Sequence, residues 1–152
     1  MSDTSKPSGA ERGHRRLVIP AELGAVGLAR EFLKESLRDA GLSEDEFFRL
    51  EVALVELCVN ITRYAYPAGG GTITLTADTA PSVFLEIRDS GRPFDPRLLA
   101  TPDLEGILKE GRRGGLGVFL ARTLVEDFDY RREGQENVVT LLHEPAGSAK
   151  NQ

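Results

Sequence analysis

The sequence predicts an α/β fold: a two-layer α/β sandwich in which helices cover one face of a mixed, mainly antiparallel sheet. Three observations lead to it. Two stretches, from Ala21 to about Ala40 and from Ser43 to just before Pro67, carry apolar residues at spacings of three and four. Short segments at 16–19, 73–77, 83–87, 128–132 and 137–143 are rich in apolar and β-branched residues, and several alternate strictly. The resulting order is β-α-α-β-β, a long irregular stretch, then α-β-β. That is not the repeating β-α-β order of a doubly wound parallel sheet.

Each element has a local reason. Arg16–Ile19 reads as a strand that Pro20 stops. Val26, Ala29, Leu33 and Leu37 define the first helix, and Gly41 ends it. Ser43 followed three residues later by Glu46 is a capping-box pattern opening the second helix. Phe47, Leu50, Leu54, Leu57 and Ile61 form its apolar stripe, and Pro67 with Gly69–Gly71 closes it. Ile73, Leu75 and Ala77 alternate with threonines; Val83, Leu85 and Ile87 alternate with Phe84, Glu86 and Arg88; Thr79–Ser82 is the turn between them. Residues 90–114 hold Gly, Pro and Arg in quantity, and an irregular stretch of that length inside a compact domain marks a functional lid. A third helix is expected over Leu116–Glu126, and Glu133–Glu136 turns the last two strands into a hairpin. Residues 1–14 have the composition of a disordered tail. A loose tail at 146–152 leaves 15–145 as one domain.

Composition narrows the function classes. The chain of 152 residues is 40% hydrophobic and 28% charged, ordinary for a globular domain. It has no apolar run near the roughly 20 residues that span a bilayer, and no apolar signal-peptide stretch at its start. Its single cysteine, Cys58, excludes an internal disulfide and suits a reducing compartment. A cytoplasmic protein without membrane contact is expected. The net charge of −5 speaks against a direct nucleic-acid footprint.

Three features carry chemistry. Glu56 and Asn60 lie four apart on the second helix, with Arg63 three further on, roughly opposite the Phe47–Ile61 stripe. Val52, Val55 and Val59 make that helix apolar on a second side, so a carboxylate and an amide there are costly unless partnered. They are either the wet edge of the helix or a base beside an amide that binds a hard cation. Asp89-Ser90-Gly91 leaves a strand, and its Asp either forms a turn or hydrogen-bonds an exocyclic amine. Gly114-Gly115-Leu116-Gly117 opens a helix, where bare backbone N–H groups either favour a phosphate or give a flexible entry. It lacks the Lys-Ser/Thr of a P-loop.

In this order the three features resemble the GHKL-type ATP-binding fold, also called the Bergerat fold. Its N-box is Glu-x-x-x-Asn on a helix, its G1 box is Asp-x-Gly, and its G2 box is a glycine run after a mobile lid. Glu56–Pro67, Asp89–Pro96, Gly114–Leu120 and Asn137–Leu141 are similar in turn to the boxes of RsbW-type anti-sigma factor serine kinases, and the resemblance covers Arg16–His143. It departs at Tyr64, where that family commonly has His; helical phase puts Tyr64 near the apolar stripe, in a packing role. The resemblance implies ATP and Mg²⁺ as cofactors. Asn60 would hold Mg²⁺ and Glu56 would be the general base. Asp89 would bind the adenine amine, with Gly91 behind the ring and Thr140 assisting from the last strand. Gly115, Leu116, Gly117 and Val118 would offer amides to the phosphates. Arg63 and lid residues Arg112 or Arg113 would meet phosphate charge. It further implies a homodimer that phosphorylates a STAS-domain anti-anti-sigma protein and sequesters a sigma factor or another regulatory target. With neither a phospho-acceptor His helix nor a transducer domain in the sequence, action on a separate partner is expected. Two rivals stand beside this reading: a nucleotide-binding sequestration module without kinase turnover, and an adaptor with a vestigial site.

Overall fold

The computed structural model describes residues 13–98 and 127–146. The strands are β1 (His14–Pro20), β2 (Thr72–Asp78), β3 (Val83–Asp89), β4 (Asp127–Glu133) and β5 (Glu136–His143); the α-helices are α1 (Val26–Ser36) and α2 (Glu44–Asn60). The five strands form one sheet in the order β1-β2-β3-β5-β4. Every pairing in it is antiparallel. The predicted third helix and residues 99–114 of the predicted lid lie outside the described residues; within 90–98 the chain makes a bend and a 3-10 turn at Pro96–Leu98.

Strand order follows composition. The interior strands carry the apolar alternation: Ile73, Leu75 and Ala77 on β2, Val83, Leu85 and Ile87 on β3, Val139 and Leu141 on β5, all buried. The two edge positions go to β1, which carries two arginines and a proline, and β4, with its run of charges. Charge and proline blunt an exposed edge against pairing with another chain. β1 ends at Pro20 as expected, with Pro20 itself pairing with Thr72 as the last residue, which an edge strand tolerates.

The inward faces of the strands meet Ala29 and Leu33 of α1 and Leu50, Leu54 and Leu57 of α2 in one apolar cluster. The first helix is shorter than predicted, a 3-10 turn at Leu23–Ala25 preceding α1. No side chain caps its start; backbone bonds of the 3-10 turn, Ala25 N to Glu22 O at 2.9 Å and Val26 N to Leu23 O, hold the entry instead. α2 is anchored as predicted: Ser43 Oγ accepts from Glu46 N at 3.0 Å, and Ser43 N donates to Glu46 Oε1 at 2.9 Å.

Glu46 does a second job. Its Oε2 lies 2.7 Å from His143 Nε2 on β5 and accepts from Ala146 N at 3.0 Å. Burial would raise its pKa, but the bonds from Ser43 N–H, the His143 ring and Ala146 N–H outweigh burial and hold it at about 2. A depressed carboxyl contributes stability that is complete above its unfolded value of 4.5 and is lost as pH falls through about 2. In urea denaturation, the stability gap between wild type and Glu46→Gln should be full near neutral pH and close as pH falls from 4.5 towards 2. A gap that does not change with pH would contradict the assignment.

Candidate functional site

α2 does not run on to Pro67. Its α-helical hydrogen bonding ends at Asn60, and Ile61–Ala65 forms a single π turn, closed by Tyr66 N to Ile61 O at 3.2 Å. Thr62 Oγ1 donates to Cys58 O at 3.0 Å, and a hydroxyl back-bonded four residues up a helix bends it. The extra residue in the turn shifts the helical phase of its C-terminal end. Tyr64 therefore leaves the apolar stripe: it is 41% exposed and stacks on Phe94 with ring centroids 5.1 Å apart. Its role is packing, as expected, but outside the core.

The π turn grips the segment that leaves β3. Arg92 N donates to Ala65 O at 2.9 Å and Arg92 Nε to Tyr64 O at 2.7 Å. Ser90 N donates to Tyr66 Oη at 2.7 Å, and that hydroxyl donates to Thr72 O at 2.9 Å. Two glycines make the fit possible. A Cβ on Gly91 would lie 2.4 Å from Ala65 O, and one on Gly71 would lie 2.1 Å from the Tyr66 ring. Packing against Ala65 is thus a sufficient reason for glycine at 91.

On this floor the structure sets the predicted residues. Asn60, at the last turn of α2, is 2% exposed, and its Nδ2 has no hydrogen-bond partner. A buried amide left unsatisfied needs an explanation. A half-turn about its terminal torsion puts Oδ1 in the same place, the hard oxygen that Mg²⁺ takes. Among the described residues there is no cluster of three or more His, Cys, Asp or Glu able to hold a metal. Glu56 is half-buried one turn earlier on the same face, and Arg63 is exposed.

Asp89 ends β3 with 3% exposure. Its Oδ1 accepts from Gly91 N at 2.9 Å and from Asn137 Nδ2 at 2.8 Å. Burial raises its pKa, and the Asn137 amide and Gly91 N–H offset part of that rise. Thr140 is not beside it. β5 pairs Asn137 with Asp89 and Thr140 with Glu86, three residues along. Alternation then turns Thr140 to the opposite face of the sheet and Asn137 to the side of Asp89. Asn137, which the sequence reading did not single out, is the β5 side chain that meets Asp89. The signal lay in the alternation: Asn137 is the polar member of an inward series continued by Val139 and Leu141, all buried. Arg112, Arg113, Gly115, Leu116, Gly117 and Val118 lie outside the described residues.

A sequence profile of the histidine kinase-like ATPase domain matches residues 19–142. The chain belongs to the histidine kinase-like ATPase domain family. The domain is 25% identical over 122 residues to the serine-protein kinase RsbW of Halalkalibacterium halodurans, covering 77% of this chain and 75% of that one. It is 26% identical over 129 residues to the serine-protein kinase RsbW of Bacillus cereus, covering 82% and 79%. Among solved structures, the RsbU and RsbW domains of a Mycobacterium tuberculosis protein match with a TM-score of 0.58 at 17% identity, over 86% of this chain and 31% of that one. The histidine kinase domain of an Erythrobacter litoralis blue-light activated histidine kinase matches with a TM-score of 0.53 at 14% identity, over 87% and 64%. The ATPase domain thus spans about a third of the first of these structures, and both likenesses show the fold. No helix among the described residues is long and apolar enough to cross a membrane.

The Gly91–Ala65 approach gives a direct test. Gly91→Ala should lower stability by about 1–3 kcal/mol in thermal or urea denaturation, because backbone rather than a mobile side chain blocks the added methyl. A loss below about 0.5 kcal/mol, as at an ordinary surface position, would show that the segment is not held against the π turn.

Proposed function

We propose that this ATPase domain is a serine/threonine protein kinase: it binds Mg-ATP between the C-terminal end of α2 and the end of β3, and phosphorylates a separate STAS-domain protein. The observation that carries the reading is the pair of buried polar groups at one end of the sandwich. Asp89 carries a carboxylate in a site that disfavours charge, and Asn60 an amide with an unpartnered nitrogen. Both costs are offset by a ligand that offers an amine donor to one and a hard cation to the other. Family membership and the RsbW relatives support the same reading.

ATP supplies the phosphoryl group, and Mg²⁺ bound with it supplies the charge that phosphates need. Asn60 would hold the cation through Oδ1. Asp89 would accept a hydrogen bond from the adenine amine, with the segment around Gly91 forming the wall beside it. Arg63, exposed beyond α2 and without an ion pair among the described residues, is free to reach phosphate. Arg112 or Arg113 and the amides of Gly115, Leu116, Gly117 and Val118 would complete the phosphate side. Glu56 would accept the proton of the incoming serine or threonine hydroxyl, so that its oxygen bonds the γ-phosphorus while the bond to the β–γ bridging oxygen breaks and ADP leaves. In such transfers the protein mostly positions groups and stabilises charge, so one base on a rigid helix suffices. By the same likeness the domain acts as a homodimer in the cytoplasm and, when it is not phosphorylating, sequesters a sigma factor or another regulatory target.

The test uses the full chain, Mg-ATP labelled in the γ-phosphate and the STAS-domain partner. Labelled phosphate should appear on a partner serine or threonine. Glu56→Gln should keep ATP affinity while transfer falls by about 100-fold or more. No label on the partner under conditions where ATP binds would sink the kinase reading, and normal transfer by Glu56→Gln would sink the base.

A further inference from the structure

The geometry points to Asn137 as the positioning residue that sets base selectivity: it commits one oxygen of Asp89 to the protein and so leaves the other, Oδ2, as an acceptor for an exocyclic amine. This rests on the nucleotide reading above and adds to it a residue that does not itself need to touch the ligand.

Asn137 is 1% exposed and its amide is used on both sides. Nδ2 donates to Asp89 Oδ1 at 2.8 Å and to the Arg92 carbonyl at 2.9 Å. Oδ1 accepts from Phe94 N at 3.1 Å, Tyr130 Oη at 2.6 Å and Arg132 Nη1 at 3.1 Å. These partners permit one orientation of the amide. A backbone N–H and a guanidinium can only donate, so Oδ1 must face them; a carbonyl can only accept, so Nδ2 must face Arg92. The face turned to Asp89 is therefore always a donor.

That fixes the carboxylate in turn. Asp89 Oδ1 receives both Asn137 Nδ2 and Gly91 N. Among the described residues, both hydrogen bonds of Asp89 end on this oxygen. With Oδ1 held by two N–H donors, rotation of the carboxylate would break both bonds, and Oδ2 stays the outward acceptor. A 6-amino purine presents a donor to such an acceptor. A 6-oxo purine presents a second acceptor, and a site built to hydrogen-bond one group rejects the analogue that lacks it. Arg132 strengthens the arrangement from the exposed side, because Nη1 also donates to Gly91 O at 2.8 Å and ties the amide to the loop it orders.

The probes are ATP and inosine triphosphate, which differ at C6 in carrying an amine or an oxygen. Calorimetric Kd values for both are measured on wild type, Asn137→Leu and Arg132→Met, with the thermal midpoint of each chain. Wild type should prefer ATP by at least about tenfold. In Asn137→Leu, ATP affinity should fall by about tenfold or more, and the preference should shrink towards one, because Asp89 is free to turn. Arg132→Met, a change at an exposed residue that keeps the amide, should narrow the preference by a smaller factor of about two to five. A purely structural role would move the midpoint, or weaken both nucleotides equally, without moving their ratio. An unchanged ratio in Asn137→Leu overturns the inference; if that variant does not fold, an unchanged ratio in Arg132→Met does so. Wild type that binds ATP without preferring it to inosine triphosphate overturns the inference alone. Wild type that binds neither nucleotide overturns the nucleotide reading and this inference with it.

Discussion

The hydrogen bond from Asn137 to Asp89 is the interaction on which the site depends. It joins the ends of β3 and β5, adjacent strands whose register sets these two side chains opposite each other. Around it, one buried amide collects the loop after β3, the hydroxyl of Tyr130 on β4 and the guanidinium of Arg132. A buried polar group must find partners or cost stability, and the Asn137 amide finds partners on both sides. Asp89 is less complete: its pKa is raised, so the apo fold carries a carboxyl that its surroundings disfavour when charged. That cost is absent below the unfolded value of 3.8 and grows as pH rises towards the folded value. A buried carboxyl kept at such a cost is a property that groups at ligand sites often share.

The second constraint is the π turn. An uninterrupted α-helix would carry Tyr64 into the apolar stripe and leave nothing to meet the loop after β3. The turn instead presents the carbonyls of Tyr64 and Ala65 to Arg92, and the Tyr66 hydroxyl to Ser90. The helix that bears Glu56 and Asn60 is thereby fixed relative to the strand end that bears Asp89. Single π turns inside helices are found often at functional sites, and here the geometric reason is visible.

Much of this is legible in the sequence. The Ser43–Glu46 cap, the strand alternations, the hairpin turn and the polar residues on α2 all express local rules, and local rules survive folding. Three things are not. The order β3-β5-β4 depends on which strands tolerate an edge, a comparison across the whole chain. The π turn depends on Thr62 bonding back to Cys58, a local competition that apolar periodicity does not register. Resemblance points to Thr140, yet three residues along a strand reverse the face, and the inward series of Asn137, Val139 and Leu141 already opposes it. Asn137 meets Asp89 and Thr140 does not, because the two-residue period of β5 turns only the former to that face.

The proposal stands or falls on whether Asp89 reads the base through the oxygen that the protein leaves over. Asp89→Asn isolates that claim, because an amide oxygen can still accept from Gly91 and Asn137, while its nitrogen replaces the outward acceptor with a donor. Calorimetric titration of the full chain with Mg-ATP, alongside thermal denaturation of the apo chain, is the decisive measurement. ATP binding should weaken by about tenfold or more, with a thermal midpoint no lower than that of wild type, since a charge disfavoured by burial has been removed. Wild-type ATP affinity in the folded variant would contradict it.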